Sequence, residues 1–247
     1  DGAVIVQCDV LSGPFLGKFS LEDGRELWRV PRREVATWST PTVVASADRT
    51  QVVANGYRAI GGYDFTTGQP LWWLSGGGDA PIPTPITAHG LVFLTSAHGR
   101  WRPLRAIRSD ATGDVTPPEL ERTNAAIAWV HGRQGNYLQT PIVVGDLLFG
   151  CTDYGLVTCF EARTGQIHFS ERLRGRPQGF TASPVAADGK LFFTGEQGDV
   201  FVIRAGSRFE VLACNRLNAL CLATPALSAG RLFFRTRGHL VVIGVAP

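Results

Sequence analysis

Apolar and polar residues alternate along this chain in short runs rather than in the rhythm of helices. Leu147-Leu148-Phe149-Gly150-Cys151 and Leu156-Val157-Thr158-Cys159-Phe160 flank Asp153-Tyr154-Gly155. Runs of this length, rich in β-branched and aromatic residues and bounded by Gly and Asp, predict strands joined by tight hairpins. Asn55-Gly56, between Val52-Val53 and Arg58-Ala59-Ile60, predicts a type I′ turn, because both central positions of that turn need positive φ. No stretch of about ten residues has a convincing 3.6-residue period, so the fold is expected to be all-β. With Tyr154-Gly155 as a two-residue turn, Cys151 faces Thr158 and Cys159 lies on the opposite face of the sheet, which argues against a disulfide between them.

Two landmarks recur. A Ser/Thr-Pro pair ahead of an apolar run stands at Thr40-Pro41, Thr84-Pro85, Thr140-Pro141, Ser183-Pro184 and Thr224-Pro225, with proline spacings of 44, 56, 43 and 41. Phe93, Phe149, Phe192 and Phe233 each follow one of these prolines by eight residues. The second landmark is a Gly turn with an aromatic residue four positions on: Gly24 to Trp28, Gly68 to Trp72 and Gly165 to Phe169. A period near 40 residues built of four short strands A to D is that of a β-propeller blade. Proline fits the first residue of strand A, where no ladder bond is lost. Trp28, Trp72, Trp129 and Phe169 are expected to fill equivalent structural positions between blades. Ser183 and its threonine counterparts, recurring once per unit, read as structural rather than nucleophilic.

The whole chain, 1–247, reads as one propeller domain of about five and a half four-stranded antiparallel blades. Their approximate limits are 1–34 (partial), 35–78, 79–134, 135–176, 177–217 and 218–247 (partial). Residues 3–30 supply strands B, C and D of the first, and 222–245 supply A, B and C of the last. The third blade carries two insertions, around His98–Pro103 at its B–C turn and around Asp114–Ala126 at its C–D loop. The absence of Met suggests a processed product or a piece of something longer.

Tyr63-Asp64-Phe65-Thr66-Thr67-Gly68-Gln69-Pro70-Leu71-Trp72 and Phe160-Glu161-Ala162-Arg163-Thr164-Gly165-Gln166-Ile167-His168-Phe169 resemble the D-x-x-T-G-x-x-x-W repeat of PQQ-like β-propellers. That superfamily includes quinoprotein alcohol dehydrogenases and the outer-membrane assembly lipoprotein BamB. The resemblance runs over essentially the whole chain. It implies a ring of up to eight blades, with two or more upstream of this chain, in an exported, periplasmic or otherwise extracytoplasmic bacterial protein. PQQ and calcium enter only through this resemblance. The dehydrogenases use a vicinal Cys-Cys disulfide, a calcium ion and an Asp base, and no catalytic or cofactor residue carries over to this chain.

Composition adds exclusions. A net charge of +3 comes from 24 basic and 21 acidic residues without long runs of one sign, which argues against a nucleic-acid partner. No run reaches the roughly 18 apolar residues of a transmembrane helix. Cys8, Cys151, Cys159, Cys214 and Cys221 form no CxxC; Cys214 and Cys221 could approach, buried thiols being the expectation. Asp110-Ala111-Thr112-Gly113-Asp114, the one stretch to weigh for calcium, lacks the alternating acidic pattern of a calcium loop and reads as a polar C–D turn. His89, His98, His131, His168 and His239 lack metal-ligand spacing. What remains is a loop face made of residues ahead of the blade prolines and of the B–C turns: Trp38, Tyr57, Arg100, Trp101, Arg102, Tyr137, Gln139 and Phe180. Arg, Trp and Tyr are the types enriched at binding hot spots. The expectation is a noncatalytic scaffold presenting this face to a protein or peptide, with envelope or outer-membrane protein assembly implied by the resemblance. The alternative is a quinoprotein-type oxidoreductase or a carbohydrate-binding module completed by blades outside this chain.

Overall fold

The computed structural model describes residues 2–46, 48–175 and 179–244, and within them every regular element is a strand. The 176/177 blade limit and residue 245 lie outside the described residues. The chain divides into two compact units, Asp1–Tyr137 and Leu138–Pro247.

In the first unit β1 (Ala3–Cys8), β2 (Phe15–Ser20) and β3 (Glu26–Pro31) form a three-stranded sheet. A second sheet holds β4 (Thr42–Ala45), β5 (Thr50–Ala54), β6 (Ala59–Asp64) and β7 (Pro70–Ser75). Next come β8 (Ile86–Ala88), β9 (Leu91–Thr95), β10 (Leu104–Arg108), β11 (Gly113–Asp114) and β12 (Ile127–His131). Of these, β8, β9, β10 and β12 make the third sheet. The short β11 instead runs parallel to Trp72-Trp73 at the outer edge of β7. The stretch Asp110–Asp114, expected as a polar C–D turn, therefore supplies through Gly113-Asp114 a fifth strand to the preceding sheet and covers its open edge, with Val115 N–H at the start of the insertion donating to Trp73 O at 2.9 Å.

In the second unit the fourth sheet is β13 (Ile142–Val144), β14 (Leu147–Cys151), β15 (Leu156–Glu161) and β16 (Ile167–Arg172). The fifth is β17 (Val185–Ala187), β18 (Lys190–Thr194), β19 (Asp199–Arg204) and β20 (Val211–Arg216). Three strands, β21 (Ala226–Ser228), β22 (Arg231–Arg235) and β23 (Leu240–Gly244), make the last. Within each sheet the strands of the repeat pair antiparallel in chain order.

Type I′ geometry sits at three A–B turns and not where Asn55-Gly56 predicts it. His89-Gly90, Asp188-Gly189 and Ala229-Gly230 each have two consecutive positive φ values. Asn55 and Gly56 have none; the β5–β6 connection is a longer loop in which Asn55, 1% exposed, is spent on tertiary bonds. Its Nδ2 donates to Thr95 O at 3.0 Å and Pro83 O at 3.3 Å. The β14–β15 hairpin also departs from the two-residue turn. Thr152 N–H donates to Leu156 O at 3.0 Å, enclosing three residues, and Gly155 lies at φ 74, the left-handed position of a three-residue hairpin loop. The register therefore moves by one: Cys151 faces Val157 and Phe149 faces Cys159. Cys151 and Cys159 share a face after all, in one buried cluster, and remain thiols. Cys221 is buried but Cys214 is exposed, which corrects the expected buried pair.

The D-x-x-T-G signature has a local cause. Asp64 Oδ1 accepts from Thr66 N–H at 3.0 Å, Thr67 N–H at 2.7 Å and Thr67 Oγ1 at 2.9 Å. Gly68, at φ 77, closes the turn by donating to Asp64 O at 2.8 Å. A side chain there would also strike the Trp28 ring, 2.8 Å from where its Cβ would stand. Trp28 rests on this turn of the next sheet, its Nε1 donating to Phe65 O at 3.1 Å. Trp72, fully buried, donates to Gln51 Oε1 at 2.8 Å and packs in a cluster with Ala111 and Val115 of the following C–D loop. Trp129 packs against Phe93 with centroids 5.8 Å apart. Phe169 lies between Phe149 and Phe209 at 6.4 and 5.4 Å. Burying one such ring stabilises by about 2–3 kcal/mol. The Ser/Thr-Pro landmark joins successive sheets in the second unit: Thr140 N–H donates to Ser183 Oγ and Ser183 N–H to Thr224 Oγ1, both at 3.0 Å. In the first unit Ser39 Oγ donates to Pro83 O at 2.9 Å.

Candidate binding cleft

Five segments of the first unit converge on one cleft, the fifth being the stretch after β12 that carries Tyr137. Trp38, 64% exposed, comes from the β3–β4 linker and is fixed by its N–H donating to Pro81 O at 3.2 Å. Tyr57, 43% exposed, comes from the β5–β6 loop. Asp79 and Pro81 come from the β7–β8 linker. The β9–β10 loop contributes His98, stacked on Tyr137 with centroids 5.3 Å apart. Together with Val35 and Ala36 these residues line about 480 Å³ of open space. A second cleft of about 350 Å³ lies beside it, bounded by Tyr57, Arg58, Gly76, Gly78, Asp79, Trp101 and Leu120. Tyr57 and Asp79 belong to both.

A buried ionic cluster braces the Tyr57 loop. Arg32 Nε donates to Asp9 Oδ1 at 2.7 Å and its Nη1 to Tyr63 Oη at 2.9 Å, with Glu34 Oε1 3.8 Å from Nη2. The Arg32 and Asp9 side chains are 2% and 0% exposed. Burial pulls the Arg32 pKa down, but Tyr63, Asp9 and Glu34 outweigh it and hold the group above its ordinary value. Glu34 then accepts from Arg58 N–H at 3.1 Å and Ala59 N–H at 2.7 Å, clamping the chain just after Tyr57. Gln7 Nε2 donates to Asn55 O at 2.7 Å on the other side. The Tyr57 loop is thus held from both flanks before any ligand arrives, a preorganisation that lowers the ordering cost of binding.

The predicted face is gathered only in part. Trp38, Tyr57 and Tyr137 line the first cleft, and Tyr57 and Trp101 the second. Arg100 is exposed but bounds neither. Arg102 turns back on its own loop, its Nε donating to Gly99 O at 3.1 Å. Gln139 and Phe180, in the second unit, are 0% and 3% exposed and are not surface residues. Gln139 Nε2 donates to Phe180 O, and the Phe180 ring packs on Phe201 with centroids 5.9 Å apart. Asp79, His98, Pro81 and the Asp9–Arg32–Glu34 cluster escaped sequence reasoning. Asp9 and Arg32 lie 23 residues apart, a separation with no local signature.

Amphipathic rings, one carboxylate and one imidazole around an open cleft offer apolar faces, hydrogen-bonding groups and one negative charge to a ligand. PQQ with calcium does not fit the residues present. Among the described residues no three His, Cys, Asp or Glu side chains gather as a metal site, and no two cysteines are adjacent. In the stretch weighed for calcium, Asp114 Oδ1 is taken up by Thr116 N–H at 2.9 Å. Among the described residues no helix is long and apolar enough to cross a membrane.

No curated protein sequence matches the chain. Among solved structures it is similar to BamB from Moraxella catarrhalis, with 16% identity and a TM-score of 0.69 over 98% of this chain and 69% of that one. It is also similar to the quinohemoprotein alcohol dehydrogenase from Comamonas testosteroni, with 9% identity and a TM-score of 0.64 over 87% of this chain and 42% of that one. The dehydrogenase ADHIIG from Pseudomonas putida HK5 follows at 14% identity and 0.61, over 88% of this chain and 41% of that one. The chain thus spans less than half the length of either dehydrogenase. These likenesses show the β-propeller fold. The sequence profile of the family described as outer membrane protein assembly factor BamB matches residues 16–140, just over half of the chain, and the chain belongs to that family of PQQ-like propellers.

Proposed function

We propose that this protein is a propeller scaffold of the bacterial cell envelope that binds protein or peptide segments through the loop face of its first unit. The observation that carries this is the convergence of Trp38, Tyr57, His98 and Tyr137 on one open cleft above a buried ionic support. Family membership supports a place in outer-membrane protein assembly, outside the cytoplasm, and supports treating all six sheets as one propeller domain. Aromatic rings suit a peptide-binding cleft because they offer large contact area at little entropic cost.

The test is fluorescence anisotropy with labelled, C-terminally amidated peptides of alternating apolar and polar residues, such as segments of outer-membrane β-barrel strands. Binding by the full chain is expected, with replacement of both Trp38 and Tyr57 by Ala weakening it by about 2 kcal/mol or more while the circular dichroism spectrum is kept. Equal affinity in the double variant would remove the cleft from the function.

A further inference from the structure

Strand β10 carries a cation into the core of the first unit. Arg105 faces Leu94 of β9 and Val130 of β12 and is 1% exposed. None of its three guanidinium nitrogens has a hydrogen-bond partner among the described residues. The Trp101 ring covers it, with the centroid 5.9 Å from Cζ. Burial holds the Arg105 pKa down to about 10, with no carboxylate acting on it, so the side chain keeps its charge at neutral pH. A desolvated charge with no counter-ion is among the costliest groups a core can hold.

Further polar atoms on the neighbouring segments lack partners as well. Trp101 Nε1, Ser96 Oγ and Asn136 Nδ2 are buried without partners on the neighbouring segments. Trp101 is also a wall of the cleft of about 350 Å³ that Tyr57, Gly78 and Leu120 bound. Gly78 leaves the space next to Ser96 open, since a Cβ there would collide with Ser96 Oγ. Water could satisfy the neutral donors but would leave the charge unbalanced. The rim carries Asp79, and Glu121 stands with Trp101 against Gly132; these acids oppose a dianion such as phosphate. A planar monoanion meets all of these conditions, and the guanidinium fork matches the two oxygens of a carboxylate.

We propose that Arg105 anchors a carboxylate-binding site beneath Trp101, entered from the cleft between Tyr57, Gly78 and Leu120. The site rests on the orphaned guanidinium and not on the partner-binding reading of the neighbouring cleft. Its carboxylate comes from a small organic acid or from the C-terminus or acidic side chain of a peptide. The experiment titrates the full chain by calorimetry and tryptophan fluorescence with acetate, with N-acetyl-Gly-Gly as the free acid and as its amide, and with chloride at matched ionic strength. Saturable binding of the acids, a rise in melting temperature with them, and no response to the amide or chloride are expected. Tighter binding of the peptide acid than of acetate assigns the site to a chain terminus, and equal binding assigns it to small acids. Arg105→Met, which removes the charge, and Arg105→Lys, which keeps the charge and loses the fork, are each expected to weaken binding by about tenfold or more. Absence of saturation, a response that follows ionic strength alone, or unchanged affinity in whichever of the two variants folds would overturn the proposal.

Discussion

A single carboxylate organises the turn on which Trp28 rests. Asp64 accepts three hydrogen bonds, and the bond from Thr67 N–H is the largest cause holding its pKa below the ordinary value, with Thr67 Oγ1 and Thr66 adding to it. A carboxylate depressed in the folded state contributes stability above its unfolded pKa and loses it as pH falls through the folded one. Asp64→Ala is therefore expected to cost about 1 kcal/mol at pH 7 and progressively less below about pH 4, read by urea unfolding at each pH. A gap that stays constant into acid would contradict this assignment. The thiols make a second test at this scale. Burial pushes Cys159 up to about 12 and Cys151 higher still, whereas Cys214 is exposed. Since the thiolate is the reactive form, a thiol-exchange reagent at pH 8 should modify Cys214 quickly and reach Cys151 and Cys159 only on unfolding. Rapid modification of either in the native state would show that the register placing them in the core is wrong.

At the scale of elements, the bulge in the C–D pairing recurs at the same place in all five sheets that contain both strands. The register shifts at Lys18/Phe19, Gly62/Tyr63, Ala106/Ile107, Cys159/Phe160 and Val202/Ile203. Such a bulge bends and twists the pair beside the D-strand residue that pairs just before the shift: Trp28, Trp72, Trp129, Phe169 and, in the fifth sheet, Ala213. The strands, the Gly turns and the ring positions were legible in the sequence because each is specified by residues within one hairpin. The β14–β15 register was not, because Gly155 can close either a two- or a three-residue loop. The pairing of β11 with β7 was equally hidden, since it joins residues about forty positions apart through backbone bonds that leave no side-chain signature. The loop that carries Tyr57 depends on another remote partner, Glu34. Glu34→Ala removes the acceptor of two backbone N–H groups and unbalances Arg32, so a loss of about 3 kcal/mol or more in unfolding free energy is expected. Peptide affinity should fall with it, because Tyr57 is no longer held. A stable variant with unaltered binding would mean that the ionic cluster does not support the cleft.

Across the whole molecule, the same fold is similar to an assembly factor and to dehydrogenases, so function rests on the loops rather than on the blades. Trp38, Tyr57 and Tyr137 could be read as loop-face residues because they stand in the linkers and turns between repeated landmarks. Gln139 precedes Thr140-Pro141 in the same frame, yet it is buried: its amide and the Phe180 carbonyl satisfy each other inside the second unit. Repeat position alone does not separate a buried residue from a contact residue; exposure does. Asp79 and His98 joined the cleft only through tertiary convergence. The proposed role has this cleft hold a partner chain in the cell envelope. It is tested most directly by a photo-crosslinking amino acid in place of Tyr57 in the full chain, irradiated in an envelope extract. A few discrete protein adducts are expected that disappear with Trp38→Ala and that a crosslinker at exposed Leu212 of the second unit does not form. No adduct at Tyr57, or the same adducts from both positions, would contradict it.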